Sequence, residues 1–379
     1  MSIIVNILLF LLVISALTFV HELGHFLAAK LVKAKVLDFS IGYGPKILSK
    51  KIKKTEYNIR ILPFGGFVKI LGDGDSTDEK ESKKDKGNLK NKNKIAQMFV
   101  MLAGVTMNLI LAITLYTIFL SANSWRMELG PEYEDFNAIG AKIVREKISN
   151  IPYRVADEGG ALESGIYEEG YLNLVNGVEI DDSDQLIEIL GDNRGKSVDV
   201  YACNLEEECK FFEVWINDEG KMGIYTGYNH AVFLDYSGNK IFSGILHSVN
   251  VIKITGEVLS SMFSQARETG DYSELSNTVS GPIGIYFIID YFKTLGIITF
   301  LGIVADLSIS LAVINLLPVP ALDGGRVFIL LIESVLRKDL NEKVERIVIN
   351  VSFLLLIVSV ILVMIKDIIN IDRLQSLFG

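Results

Sequence analysis

The chain has 379 residues, half of them hydrophobic, with 22% charged residues and a formal net charge of −9. That length allows two or three domains, and the apolar fraction is too high for an ordinary soluble protein that carries this much charge. The acidic balance, concentrated in one segment described below, argues against nucleic-acid binding.

The first apolar run, Ile3 to Val20, has only Asn6, Ser15 and Thr18 as polar residues and resumes from Phe26 to Val32, so residues 1–33 are expected to form a spanning helix. No basic residue precedes the run, and it continues past any plausible cleavage point, so it is not expected to be a removable signal peptide. Within it lies His21-Glu22-Leu23-Gly24-His25. On a helix, two histidines four residues apart share one face, where both can hold one zinc ion while the intervening Glu22 acts as general base. Such a pair is also compatible with a solvated helix face. Ionisable groups inside an apolar span are costly, however, and point to function.

Residues 34–94 form a basic loop, with roughly 16 Lys and Arg against 8 acidic residues between Lys33 and Lys94, including the run from Lys83. Inside it, Tyr57 to Gly72 combines β-branched residues with a break at Pro63 and Gly65-Gly66, the pattern of a hairpin at the membrane surface. A second span follows at 95–120. Residues 121–293 then reverse the charge balance, with roughly 13 basic and 29 acidic residues. The excess of Lys and Arg places the 34–94 loop and the 337–346 loop in the cytoplasm, and both termini with the acidic segment outside.

Within the outer segment a domain is expected over 121–235, followed by an amphipathic connection over 236–293 in which Phe242 to Phe263 shows helical periodicity. Cys203 and Cys209 flank a short acidic loop where a disulfide is permitted, two ordinary thiols being the alternative. Residues 294–336 hold a third span and a broken segment, 347–366 a fourth span, and 367–379 an outer tail. A catalytic zinc needs a third protein ligand. His230 and His247 fall in the outer segment, on the wrong side. The better candidate is Asp323 in Asn315-Leu-Leu-Pro-Val-Pro-Ala-Leu-Asp-Gly-Gly-Arg326, where Pro318 and Pro320 cannot continue a helix and Gly324-Gly325 permit unusual backbone. Broken backbone at membrane depth is tolerated only in protein or beside a watery cavity. A loop turn with a capping aspartate is the bland alternative. The first and third spans both run inward, so His21, His25 and Asp323 reach the same leaflet.

HExxH in a first span, paired with Asn-Leu-Leu-Pro-x-Pro-x-Leu-Asp-Gly-Gly in a later one, resembles the site-2 protease family of intramembrane zinc metalloproteases, closest to the bacterial regulator-of-sigma-factor branch. The resemblance implies a polytopic α-helical membrane protein with four transmembrane helices, a membrane-associated β-hairpin and one extracytoplasmic PDZ-like β-rich domain. It implies one Zn2+ per chain held by His21, His25 and Asp323, with Glu22 as catalytic acid/base. It also implies substrate contacts at Asn108, within Gly104-Val-Thr-Met-Asn108 of the second span, and at Phe64, Gly65, Gly66 and Phe67 of the hairpin, whose edge would take an unwound substrate as an added strand. Helix packing alone at Gly104 and Asn108, and a hairpin without substrate contact, are the alternatives. Ala161 to Leu190 resembles a single bacterial PDZ module, although Tyr171 stands where an Asp commonly follows the glycine.

The implied activity is hydrolysis of peptide bonds inside single-span membrane proteins, such as anti-sigma factors already trimmed outside or signal-peptide remnants, in the bacterial cytoplasmic membrane. Two other readings exist. Intramembrane His, Glu and Asp would suit an ion-coupled or zinc transporter, and the PDZ-like segment would suit an inactive membrane scaffold. A general base placed between two ligands speaks against the first, and a complete ligand set against the second. Asp306, inside the third span, has no assigned role.

Overall fold

The structure, a computed structural model, describes residues 3–73 and 85–378, so part of the basic run from Lys83 lies outside the described residues. The chain divides into two compact units, one formed by 1–122 with 241–379 and the other by 123–240.

In the first unit, α1 (Ile3–Leu31) leads into β1 (Val36–Ile52) and β2 (Thr55–Ile70), and α2 (Lys94–Ala122) follows. The β1–β2 turn is two residues long, with Lys53 in the left-handed region. The expectation of a hairpin within 57–72 is corrected here. Its two arms do not pair with each other, because residues 38–41 of β1 lie between them, with Phe39 opposite Tyr57 on one edge and Val68 on the other. Both strands bend, β1 at Gly42–Gly44 and β2 at Pro63–Gly65, and so fold back to make a layered sheet. Pro63 and the glycines mark those bends, but pairing depends on β1, whose contribution the local pattern of 57–72 does not carry. The sheet is tied to α1, since Ser15 Oγ donates to the Pro63 carbonyl at 2.5 Å and Lys30 Nζ to Thr55 Oγ1 at 2.7 Å.

The second unit holds two antiparallel sheets. One is ordered β3 (Arg126–Leu129), β11 (His230–Asp235), β4 (Lys142–Lys147). The other runs β10 (Ile224–Thr226), β5 (Ile151–Val155), β6 (Glu169–Val175), β8 (Ser197–Cys203), β9 (Cys209–Trp215), with β7 (Val178–Glu179) also on β6. A short helix α3 (Gly160–Ser164) and α4 (Ser183–Asp192) accompany it; α4, capped by Asp182, buries Leu186 and Leu190 against the core around Leu172, Val200 and Val214. Cys203 and Cys209 stand opposite each other on β8 and β9 and form a disulfide.

Returning to the first unit, α5 (Ser243–Thr269) realises the helical periodicity from Phe242. It packs on α2, where His247 meets the Tyr116 ring edge-on at 4.6 Å. After α6 (Ser273–Thr278) come α7 (Pro282–Phe292), α8 (Ile297–Leu316), α9 (Asp323–Leu336), α10 (Glu342–Ile369) and α11 (Ile371–Phe378). Among the described residues four helices, α1, α2, α8 and α10, are long and apolar enough to cross a membrane, matching the four expected spans. The chain is an integral membrane protein. Asp306 is not isolated inside α8, because Tyr116 Oη donates to its carboxylate at 2.5 Å.

One helix start is capped from afar. Pro282 occupies the first turn of α7, where its missing N–H is no loss. The N–H groups of Gly281 and Gly284 both donate to Asp367 Oδ2 of α10, at 2.9 and 3.0 Å, and Asp367 is fully buried. A carboxylate there satisfies orphan donors and complements the helix dipole. Asp367→Ala should therefore destabilise this junction by about 2 kcal/mol. The expected result is a lower unfolding temperature in detergent and new protease cleavage between 276 and 284.

Candidate metal centre

The centre is built from three helices and one strand edge. His21 and His25 sit one turn apart on α1, both buried, with their Nε2 atoms 3.2 Å from each other. Asp323 opens α9. Between α8 and α9 the chain reverses over 317–322, with Leu317 extended, as the following Pro318 requires, and Leu322 extended as the residue that caps α9. Gly324 and Gly325 make the reversal possible: a Cβ on either would lie 2.1 Å from the Leu316 carbonyl oxygen or 2.0 Å from that of Val319. The fold-back delivers Asp323 Oδ2 to 2.9 Å from His21 Nε2 and 3.2 Å from His25 Nε2.

Two imidazole nitrogens and a carboxylate oxygen, mutually within 4.8 Å, form the group among the described residues suited to a metal ion. Donors this close can share one zinc at about 2.0–2.2 Å from each. The neighbouring helix leaves room for it. A Cβ at Gly104 of α2 would stand 2.4 Å from His25 Nε2 and 2.6 Å from His21 Nε2, so glycine there keeps the side of the donors open.

Glu22 points from the same turn of α1 toward β2, and the Val68 N–H donates to its Oε2 at 2.9 Å. That N–H is therefore turned away from the β1 ladder, and this edge of β2 faces the carboxylate. Beside it the Tyr43 hydroxyl donates to the Gly66 carbonyl at 2.9 Å, and the ring lies against Phe64 and Phe67. Burial first, and the Glu22 charge second, push the Tyr43 hydroxyl above its ordinary pKa, so it remains a donor.

The second ring nitrogens are also held. His25 Nδ1 is 2.8 Å from the Val100 carbonyl and His21 Nδ1 is 3.1 Å from the Asn108 amide, both on α2. Asn108 is fully buried, and its main-chain carbonyl accepts from Ser308 Oγ of α8 at 2.8 Å. Arg326, one turn after Asp323, pairs with Asp73 just beyond β2, linking α9 to the end of the sheet.

Of the residues expected from sequence, His21, Glu22, His25, Asp323 and Asn108 come together. Gly66 and Phe67 lie on the strand leading to Val68, whereas Phe64 and Gly65 form the bend before it. His230 and His247 stay apart, His230 beside Glu134 in the second unit and His247 on Tyr116. The sequence reading missed Val68, Tyr43, the Val100 carbonyl and Asp73. None of them had a sequence signal: Asp73 lies far along the chain from Arg326, and a backbone N–H or carbonyl leaves no trace in the residue type.

One helix carrying HExxH, a second helix whose first residue supplies an aspartate and a strand edge on the glutamate define an intramembrane metalloprotease. The chain belongs to peptidase family M50, the site-2 protease family, whose profile matches residues 9–359. It is a zinc metalloprotease, with zinc as its cofactor. A protein of Clostridium perfringens that bears the provisional name of a zinc metalloprotease is 34% identical over 362 residues, covering 95% of this chain and 97% of its own length. The regulator of sigma-W protease RasP of Bacillus subtilis is 28% identical over 420 residues, covering 94% and 97%. Zinc metalloprotease RasP of Bacillus licheniformis is 27% identical over 416 residues, with the same coverage.

Gly104→Ala should weaken zinc binding about 10–100-fold, because the added Cβ would crowd both Nε2 atoms and turn the ligands from their orientation. Chelator competition on purified protein of unchanged helix content is the measurement that checks it.

Proposed function

We propose that His21, His25 and Asp323 hold one zinc ion, that Glu22 is the catalytic acid/base, and that the outer edge of β2 presents the substrate. The observation that carries this reading is the convergence of three donors within 3.2 Å of one another beside a glutamate that touches a strand edge. When bound, zinc supplies Lewis-acid polarisation of the scissile carbonyl and acidifies water. Glu22 takes the proton of the attacking water and returns it to the leaving amine. The Val68 N–H and Gly66 carbonyl are placed to pair with an extended peptide, which a membrane helix offers only after unwinding, since its own bonds otherwise occupy every carbonyl.

The substrates in this reading are single-span membrane proteins. The sigma-W association in the name of a relative supports anti-sigma factors as one class, with signal-peptide remnants as another. The basic 34–94 and 337–346 loops support, in this reading, an active site toward the cytoplasmic side, with the acidic 123–240 unit and both termini outside. That unit is a PDZ-like module in this reading, supported by its antiparallel sheet with α4 packed on it. A transporter would need donors but no acid/base between them.

Glu22→Gln is expected to retain zinc and to cut a tagged, coexpressed single-span substrate about 10²–10⁴-fold more slowly; a variant that binds zinc and cleaves like wild type would sink the protease assignment of Glu22. Zinc uptake into vesicles without cleavage would favour the transporter. The strand-edge claim has its own test. Because the Val68 N–H is outside the ladder, Val68→Pro removes it without breaking a β1–β2 bond. The variant should bind zinc normally while KM rises about tenfold, the loss expected for one hydrogen bond of roughly 1.4 kcal/mol; because the same N–H donates to Glu22, a fall in kcat with KM unchanged would assign the loss to Glu22 and overturn the strand-edge claim.

A further inference from the structure

Two imidazoles can offer Nε2 lone pairs to a metal only if each carries its proton on Nδ1, and that proton needs an acceptor. For His25 the acceptor is unambiguous: the Val100 carbonyl, 2.8 Å from Nδ1, can only accept. For His21 the partner is the Asn108 amide, 3.1 Å from Nδ1, and the nitrogen is the end drawn toward the ring. With that orientation Nδ1 would be the acceptor and Nε2 would carry the proton, 2.9 Å from Asp323 and 3.2 Å from His25, where no lone pair would remain for a metal. Asn108 Oδ1, meanwhile, is buried without a hydrogen-bond partner among the described residues.

An asparagine amide turned over has the same shape, so its oxygen and nitrogen are assigned by their neighbours. Either orientation leaves one amide atom to be satisfied elsewhere, and the choice therefore rests on His21. Turned over, Oδ1 accepts from His21 Nδ1–H, and Nε2 is free to ligate. The three groups involved lie at 100, 104 and 108, spaced four apart and hence on one face of α2: a carbonyl for His25, a glycine that leaves the donor atoms clear, and an amide for His21.

We infer that this face of α2 is a tautomer template, in which the Val100 carbonyl and the Asn108 side-chain oxygen fix both histidines as Nδ1–H and aim their Nε2 lone pairs at one point. Asn108 is thus a positioning residue for the metal ligand, in place of the substrate-holding role that the resemblance implies. Its burial agrees with that, since none of its surface is exposed. The inference rests on the zinc-centre reading above.

The experiment measures zinc affinity by chelator competition for wild type, Asn108→Leu, Asn108→Asp and His21→Ala, with KM for a single-span substrate at saturating zinc and imidazole ¹⁵N shifts of the zinc-free full-length protein. Asn108→Leu should bind zinc about 10–100-fold more weakly with KM unchanged. Asn108→Asp, always an acceptor, should bind like wild type, and wild-type His21 should show the Nδ1–H form before zinc is added. An Asn108→Leu variant that keeps its zinc affinity but raises KM overturns the inference in favour of a substrate contact. So does an Nε2–H form of His21 in the wild type, a result available even if the leucine variant fails to fold. If His21→Ala binds zinc as tightly as wild type, the zinc-centre reading falls and the inference with it; weakened binding there alongside unchanged binding in Asn108→Leu overturns the inference alone.

Discussion

The constraint on which the rest of the first unit depends is the cost of keeping polar atoms inside apolar helices. His21, Glu22 and His25 lie on a helix whose other side chains suit lipid, and Asp323 follows closely on another, in surroundings where an unsatisfied polar group costs several kcal/mol. Each is met by a partner from a different element: α2 receives the Nδ1 atoms, β2 caps Glu22, and α9 closes the donor triangle. Helices that merely packed would not need these registers. The positions of α2, β2 and α9 against α1 follow from satisfying four side chains at once.

The same requirement recurs away from the centre. Tyr116 answers Asp306 between α2 and α8, and Asp367 answers the open start of α7. Such cross-helix bonds fix rotation and depth in a way that leucine against leucine cannot. They give a bundle with little side-chain discrimination of its own a defined set of contacts.

Much of this was legible in the sequence where the signal was local. Four spans follow from runs of apolar residues, and the HExxH pair and the Pro-Gly interruption before Asp323 follow from residue chemistry at fixed spacing. The sheet was legible only as strand-forming character. That residues 38–41 intervene between the arms of 57–70 depends on pairing across chain segments, which no pattern within either segment encodes. The apolar helix α7 was absorbed into the approach to the third span, since its cap comes from residue 367. Val68 and Val100 act through backbone atoms, so the identity of their side chains carries no trace of what they do.

The donor triangle has two corners within the first 25 residues and its third 302 residues after His21. The helix that bears Glu22 is made first, while most of the chain has yet to be translated. Throughout that interval the histidine pair lacks the Asp323 carboxylate, and the donor set proposed for zinc is incomplete. Separation along the chain thus acts as a clock for the proposed centre: the third donor arrives only after α8 is made, by which time residues 34–240 have all been translated.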